Sequence, residues 1–209
     1  MDTDTLFRLI FAFLVIVILG TRLYGHLKAD TFKGERRSYD EGVVTYIMRP
    51  LSLLIGIGSI LYIAAPQLMA WSSLDLPLWL RWLALPLGLL VIAGMAWVQT
   101  TLSKNFSGQL GIRDDQTLIT SGPYHWVRHP MYTAVTALFI AVFLLTANWF
   151  IGLGGLATVL PVIVTRTPKE EAMLVEAFGE AYREYMKRTP RYLPRLGMEP
   201  PAQPVHSGD

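Results

Sequence analysis

Five apolar stretches dominate this chain, at residues 6–20, 51–68, 78–98, 130–145 and 149–164. Each approaches the roughly 20 residues that cross a bilayer as a helix. A chain with that pattern cannot bury all its apolar surface in one water-soluble core. The composition agrees: 52% of residues are hydrophobic and 16% charged, with a mean hydropathy of +0.38. A typical soluble domain carries about 25% charged residues. The net charge of +2 gives no argument for nucleic acid as a partner. The chain has no cysteine, which excludes disulfides and thiolate metal sites, and no metal site is expected. The first stretch follows an acidic start, MDTDT, and no small-residue cleavage site follows it. It therefore reads as a retained helix rather than a signal peptide. The expected fold is all-α: a polytopic membrane protein of about five transmembrane helices.

The last two spans are joined only by Thr146-Ala147-Asn148. So short a link predicts an antiparallel helical hairpin. Lys and Arg fall on alternate connections. Arg22, Lys28, Lys33, Arg36, Arg37 and Arg49 lie in the first, Lys104, Arg113 and Arg128 in the third, and many more after Arg166. The second connection and the hairpin turn have none. By the positive-inside rule the N-terminus is expected outside and the tail in the cytoplasm, as in a bacterial inner membrane. Arg8 and Arg81 are expected to snorkel to the headgroups near the outer helix ends. Residues 22–48 read as an interfacial segment or as a loosely ordered loop. Residues 169–187 place Met173, Leu174, Ala177, Phe178, Ala181, Tyr182 and Tyr185 at three- and four-residue steps, the pattern of an amphipathic tail helix. Thr167-Pro168 suits its start. Residues 197–209, rich in proline, read as a disordered end.

Two polar clusters flank the hairpin. The first is SGPYHWVRHPMYTA, from Ser121 to Ala134. Gly122-Pro123 signals a turn, and Pro130 suits the first turn of the fourth helix, where a missing N–H costs nothing. An aromatic belt with a basic residue facing phosphates explains Trp126 but not the whole cluster. The second is Arg166, Lys169, Glu170 and Glu171, directly after the fifth span. The carboxylates also suit the positive end of a helix dipole. A hairpin returns both clusters to the same membrane face.

These residues resemble the isoprenylcysteine carboxyl methyltransferase and phospholipid methyltransferase superfamily. The likeness rests on Gly122-Pro123-Tyr124, Arg128-His129-Pro130, Tyr132, Glu170-Glu171, Leu174, Phe178-Gly179, Tyr182 and Tyr185. It covers residues 102–196, leaving 1–101 as upstream membrane helices with a cytoplasmic loop. Ala134 stands where many members carry glycine. The resemblance implies S-adenosylmethionine as cofactor and a lipid-like or amphiphilic methyl acceptor, a carboxylate among the candidates. It also implies a cofactor site of Tyr124, Arg128, His129, Pro130, Tyr132, Glu170 and Glu171, with Arg128 and Glu171 central to catalysis. Arg128 would hold the cofactor carboxylate as a bidentate pair, and Glu171 would accept from its ribose or ammonium. Arg166 and Arg191 would face the polar end of the acceptor, or serve as ordinary positive-inside charge. Two other classes compete: an NADPH-dependent membrane sterol-type reductase, and a non-catalytic membrane subunit.

Overall fold

The computed structural model describes residues 2–30, 36–38, 42–102, 111–113 and 117–195. Five long helices carry the apolar stretches: α1 (Thr3–Asp30), α2 (Val43–Ala64), α3 (Leu78–Leu102), α5 (Pro130–Thr146) and α6 (Trp149–Phe178). Four are long and apolar enough to cross a bilayer, and α5 is a shorter apolar helix of 17 residues. A 3₁₀ segment (Pro66–Ser72) follows α2, a single-turn helix α4 (Pro123–Trp126) precedes α5, and α7 (Glu180–Arg188) follows α6. A three-residue antiparallel ladder pairs β1 (Arg36–Ser38) with β2 (Gly111–Arg113), tying the first long connection to the third. The protein is an integral membrane protein. Its outward faces carry exposed Leu9, Phe13, Leu53, Ile60, Leu89 and Leu90, as lipid contact requires.

The main helix pairings are α3 with α5, α5 with α6, and α2 with α6. The hairpin of α5 and α6 is thus the centre of the bundle. Its turn is anchored from several sides. Ala147 takes a left-handed conformation (φ 47). Asn148 caps α6 by accepting from the Ile151 N–H at 3.2 Å, and its amide donates to Ser72 Oγ at 2.8 Å and Met69 O at 3.3 Å. The buried core gathers at this end: Phe7, Phe11, Tyr62, Met69, Ala84, Val142, Leu145 and Ile151.

Several boundaries differ from the sequence reading. The segment 22–48, read as interfacial or as a loosely ordered loop, is helical at both ends, because α1 runs on to Asp30 and α2 begins at Val43. Residues 31–35 and 39–41 between them lie outside the described residues, as does the disordered end expected at 197–209. Arg81 does not snorkel. It is buried, pairs with Asp4 at 2.6 Å, donates to Leu145 O at 3.3 Å and lies 4.1 Å over the Phe7 ring. The last carbonyls of α5 have no partner within the helix, and a cation there satisfies one of them.

The largest correction concerns the tail. Thr167-Pro168 does not start a new helix; α6 runs through Pro161 and Pro168 as one helix of 30 residues. Its buried face continues across Pro168 in four-residue steps, at Ile163, Thr167 and Glu171. An interior proline costs about 3 kcal/mol, and packing along that face offsets it. The break comes instead at Gly179 (φ 56), where a residue with Cβ would be strained. The chain turns there into α7, which buries Tyr182 and Tyr185 but leaves Ala181 exposed.

The hairpin contact is close. A Cβ on Gly152 would lie 2.3 Å from Phe143 Cβ and 2.5 Å from Phe143 Cα, with backbone in the way. Gly152→Ala is expected to cost about 1–3 kcal/mol by overpacking, seen as a lower melting temperature in detergent. Gly56→Ala, where a Cβ meets nothing within 4 Å, should stabilise by about 0.5–1 kcal/mol instead.

Candidate active site at the open end of the hairpin

The hairpin places Arg128 and His129, at the start of α5, beside Glu170 and Glu171 on α6. Local sequence sets up the first pair. Gly122 (φ 60) opens the turn, and Pro123 starts α4. Pro130 starts α5 and disfavours helical geometry in the residue before it, so His129 (φ −123, ψ 61) is the N-cap. The backbone N–H groups of Arg128 and His129 then point away from the helix. They donate to Pro190 O at 2.8 Å and Arg191 O at 2.9 Å, stitching the segment after α7 across the start of α5.

Glu171 is the hub. Its side chain is 5% exposed and that of Arg128 7%. Arg128 donates to Glu171 Oε1 from Nε at 3.0 Å and from Nη2 at 2.7 Å. Its remaining nitrogen, Nη1, reaches Met186 O at 2.9 Å and also Thr189 O. Arg191 approaches the same carboxylate from the other side, with Nη2 to Oε2 at 2.6 Å, but is 49% exposed. His129 Nε2 lies 3.4 Å from Glu171 Oε1, and Nδ1 lies 3.5 Å from Glu170 Oε2. Glu170 also accepts from Tyr132 at 2.6 Å and from Arg166 at 2.8 Å. The His129 ring stacks on Tyr132, with centroids 5.5 Å apart.

The structure thus brings the residues expected for the cofactor and acceptor to one end of the hairpin. Tyr124 joins through its carbonyl, which accepts from Tyr185 at 2.5 Å, and Pro130 is buried beneath. Two local readings change. Glu170 and Glu171 are not helix-start charges, since α6 begins at Trp149 and the dipole reading loses its basis. Arg128 is committed to Glu171 and two carbonyls, so its fork organises the chain rather than standing open. Sequence reasoning missed Thr133, Thr167, Thr189, Pro190 and Tyr192. The only signal for the last three was TPRYLP, an extended stretch with an aromatic residue between prolines, after the tail helix.

Burial lowers the pKa of His129, but Glu170 and Glu171 outweigh it, and the net shift is upward from the ordinary 6.5. A folded-state pKa above the unfolded one means protonation favours the closed cluster. That stability is fully present below pH 6.5 and is lost as pH rises through the folded value. Melting curves should therefore show stability falling above pH 6.5, and His129→Gln should flatten the profile in that window.

Fold and site together define a polytopic membrane protein with an ionic cluster enclosed by a helical hairpin and its tail. Residues 83–176 match the isoprenylcysteine carboxyl methyltransferase (ICMT) family. The chain is 32% identical over 171 residues to the human protein-S-isoprenylcysteine O-methyltransferase, covering 75% of this chain and 60% of that one. It is 31% identical over 127 residues to the cobalt-zinc-cadmium resistance protein CzcN of Cupriavidus metallidurans, covering 57% of this chain and 53% of the other. A solved eukaryotic intramembrane Ras methyltransferase ICMT shares the fold, with a TM-score of 0.52 and 22% identity over 72% of this chain and 60% of that one. Residues 83–176 of this chain are thus similar to the isoprenylcysteine carboxyl methyltransferase family. The chain spans about 60% of the length of the human relative.

Proposed function

We propose that this protein transfers a methyl group from S-adenosylmethionine to a lipid-like acceptor bearing a carboxylate, at the cytoplasmic face of a bacterial inner membrane. The observation that carries the proposal is the buried Arg128–Glu171 pair, bridged by His129 to Glu170, in the segment that matches the family, and closed by Arg191 from the tail beyond it. The donor set suits the cofactor. It offers carboxylates for an ammonium and a ribose diol, and a stacked ring pair for an adenine. The bound cofactor would supply an electrophilic methyl group on a sulfonium.

Tyr124, Arg128, His129, Pro130, Tyr132, Glu170 and Glu171 form the cofactor site in this reading. Arg128 and Glu171 are its core, because each fixes the other and the tail. Arg166 and Arg191 face the acceptor, and Arg191 can leave Glu171 without orphaning it, since Arg128 remains. An acceptor carboxylate is ionised at pH 7 and needs no base. The work left to the protein is alignment of donor and acceptor and exclusion of water. The catalytic region is 102–196, and the alternating Lys and Arg content supports the cytoplasmic assignment.

Incubation of purified protein with methyl-labelled S-adenosylmethionine and a bacterial lipid extract tests this. The expected product is a labelled, base-labile ester on an amphiphile. Label confined to base-stable amines would refute the carboxylate acceptor, and no label in any lipid would refute the activity.

A further inference from the structure

Tyr192 lies on the segment after α7 and reaches both helices of the hairpin. Its hydroxyl donates to Thr167 Oγ1 at 2.7 Å, one turn before Glu171 on α6. Thr167 is 1% exposed and donates in turn to Ile163 O at 2.7 Å, so the acceptor is held in place. The backbone carbonyl of Tyr192 accepts from Thr133 Oγ1 on α5 at 2.7 Å. Its ring lies 6.0 Å from the ring of His129, whose neighbour Tyr132 stacks on it at 5.5 Å. His129 is therefore flanked by two tyrosines from different segments, and one of them is hydrogen-bonded to both hairpin helices.

We infer that Tyr192 is a positioning residue, whose bond to Thr167 locks the tail across the open end of the hairpin and fixes the His129 ring between the two carboxylates. The site offers no other side-chain bond from the tail to Thr167 among the described residues. Without it, residues 190–192 depend on their backbone bonds to α5 and on Arg191, which is half exposed. The consequence for ligand binding rests on the cofactor reading above; the consequence for His129 does not.

The test compares the wild type with Tyr192→Phe, Thr167→Val and the double variant, each removing one or both ends of a single bond. The first readout is the NMR titration of His129 in the ligand-free protein. His129 faces Tyr132 from α5, Glu170 and Glu171 from α6 and Tyr192 from the tail, with Arg128 beside it in sequence; Arg166 and Arg191 lie one step further out, paired with Glu170 and Glu171. Loosening the tail admits water, which weakens both the burial that lowers the His129 pKa and the carboxylate bonds that raise it, so each single variant should shift the titration midpoint from its wild-type value, both in the same direction, and the double variant no further. The second readout is affinity for S-adenosylhomocysteine, which should fall about 10-fold in each variant with turnover changed less than about twofold. A His129 titration unchanged in Tyr192→Phe, or additive effects of the two substitutions, would overturn the inference. If the wild type binds no S-adenosylhomocysteine, the cofactor reading fails and the titration still decides the role of Tyr192.

Discussion

Glu171→Gln should be the most damaging single substitution in the protein. Its carboxylate is shared by the buried Arg128 and the half-exposed Arg191. Arg191 can turn to water when the charge is removed; Arg128, 7% exposed, cannot. Breaking one side of a buried pair leaves an uncompensated charge and costs about 3–5 kcal/mol. The expected result is a large drop in melting temperature in detergent, together with loss of cofactor binding. Glu184→Gln is the contrast. Glu184 pairs with Lys187 on the exposed face of α7, with side chains 46% and 66% exposed. Water screens a pair this exposed, so its loss should barely register.

Arg128→Lys should have the second-largest effect, although it keeps the charge. The guanidinium of Arg128 serves three acceptors on three segments: Glu171 Oε1 on α6, Met186 O in α7, and Thr189 O just beyond. A compact ammonium cannot reproduce that fork. Losing one hydrogen bond to a charged group costs about 1.5–3 kcal/mol, which is about 10–100-fold in affinity. Affinity for S-adenosylhomocysteine should fall by that factor. Arg191→Lys, at a half-exposed position, should cost less than about fivefold. Equal effects at the two positions would mean that burial of Arg128 does not set its importance.

The hairpin was legible because Thr146-Ala147-Asn148 leaves room for nothing but a turn, and because Pro130 suits a helix start. The joining of Arg128-His129 with Glu170-Glu171 follows from that geometry. The family resemblance named the same residues independently. What the sequence hid has physical reasons. Pro168 reads as a boundary by local rules, yet the buried face of α6 continues across it, and tertiary packing overrides the local penalty. Gly179 was visible inside the tail pattern, but periodicity alone gave no sign that α7 folds back onto Arg128. Arg81 reads as a headgroup cation because its partners are remote in sequence: Asp4 and the carbonyl of Leu145. Tyr192 and Thr167 were silent for the same reason, being 25 residues apart and carrying no charge.

The central claim is that the Arg128–His129 and Glu170–Glu171 ends of one hairpin make a single S-adenosylmethionine site. Calorimetry on detergent-purified protein with S-adenosylhomocysteine and, separately, NADPH tests it most directly. The account predicts micromolar binding of S-adenosylhomocysteine, abolished by Glu171→Gln, and none of NADPH. Binding of NADPH alone, or S-adenosylhomocysteine binding that survives both Arg128→Lys and Glu171→Gln unchanged, would contradict it.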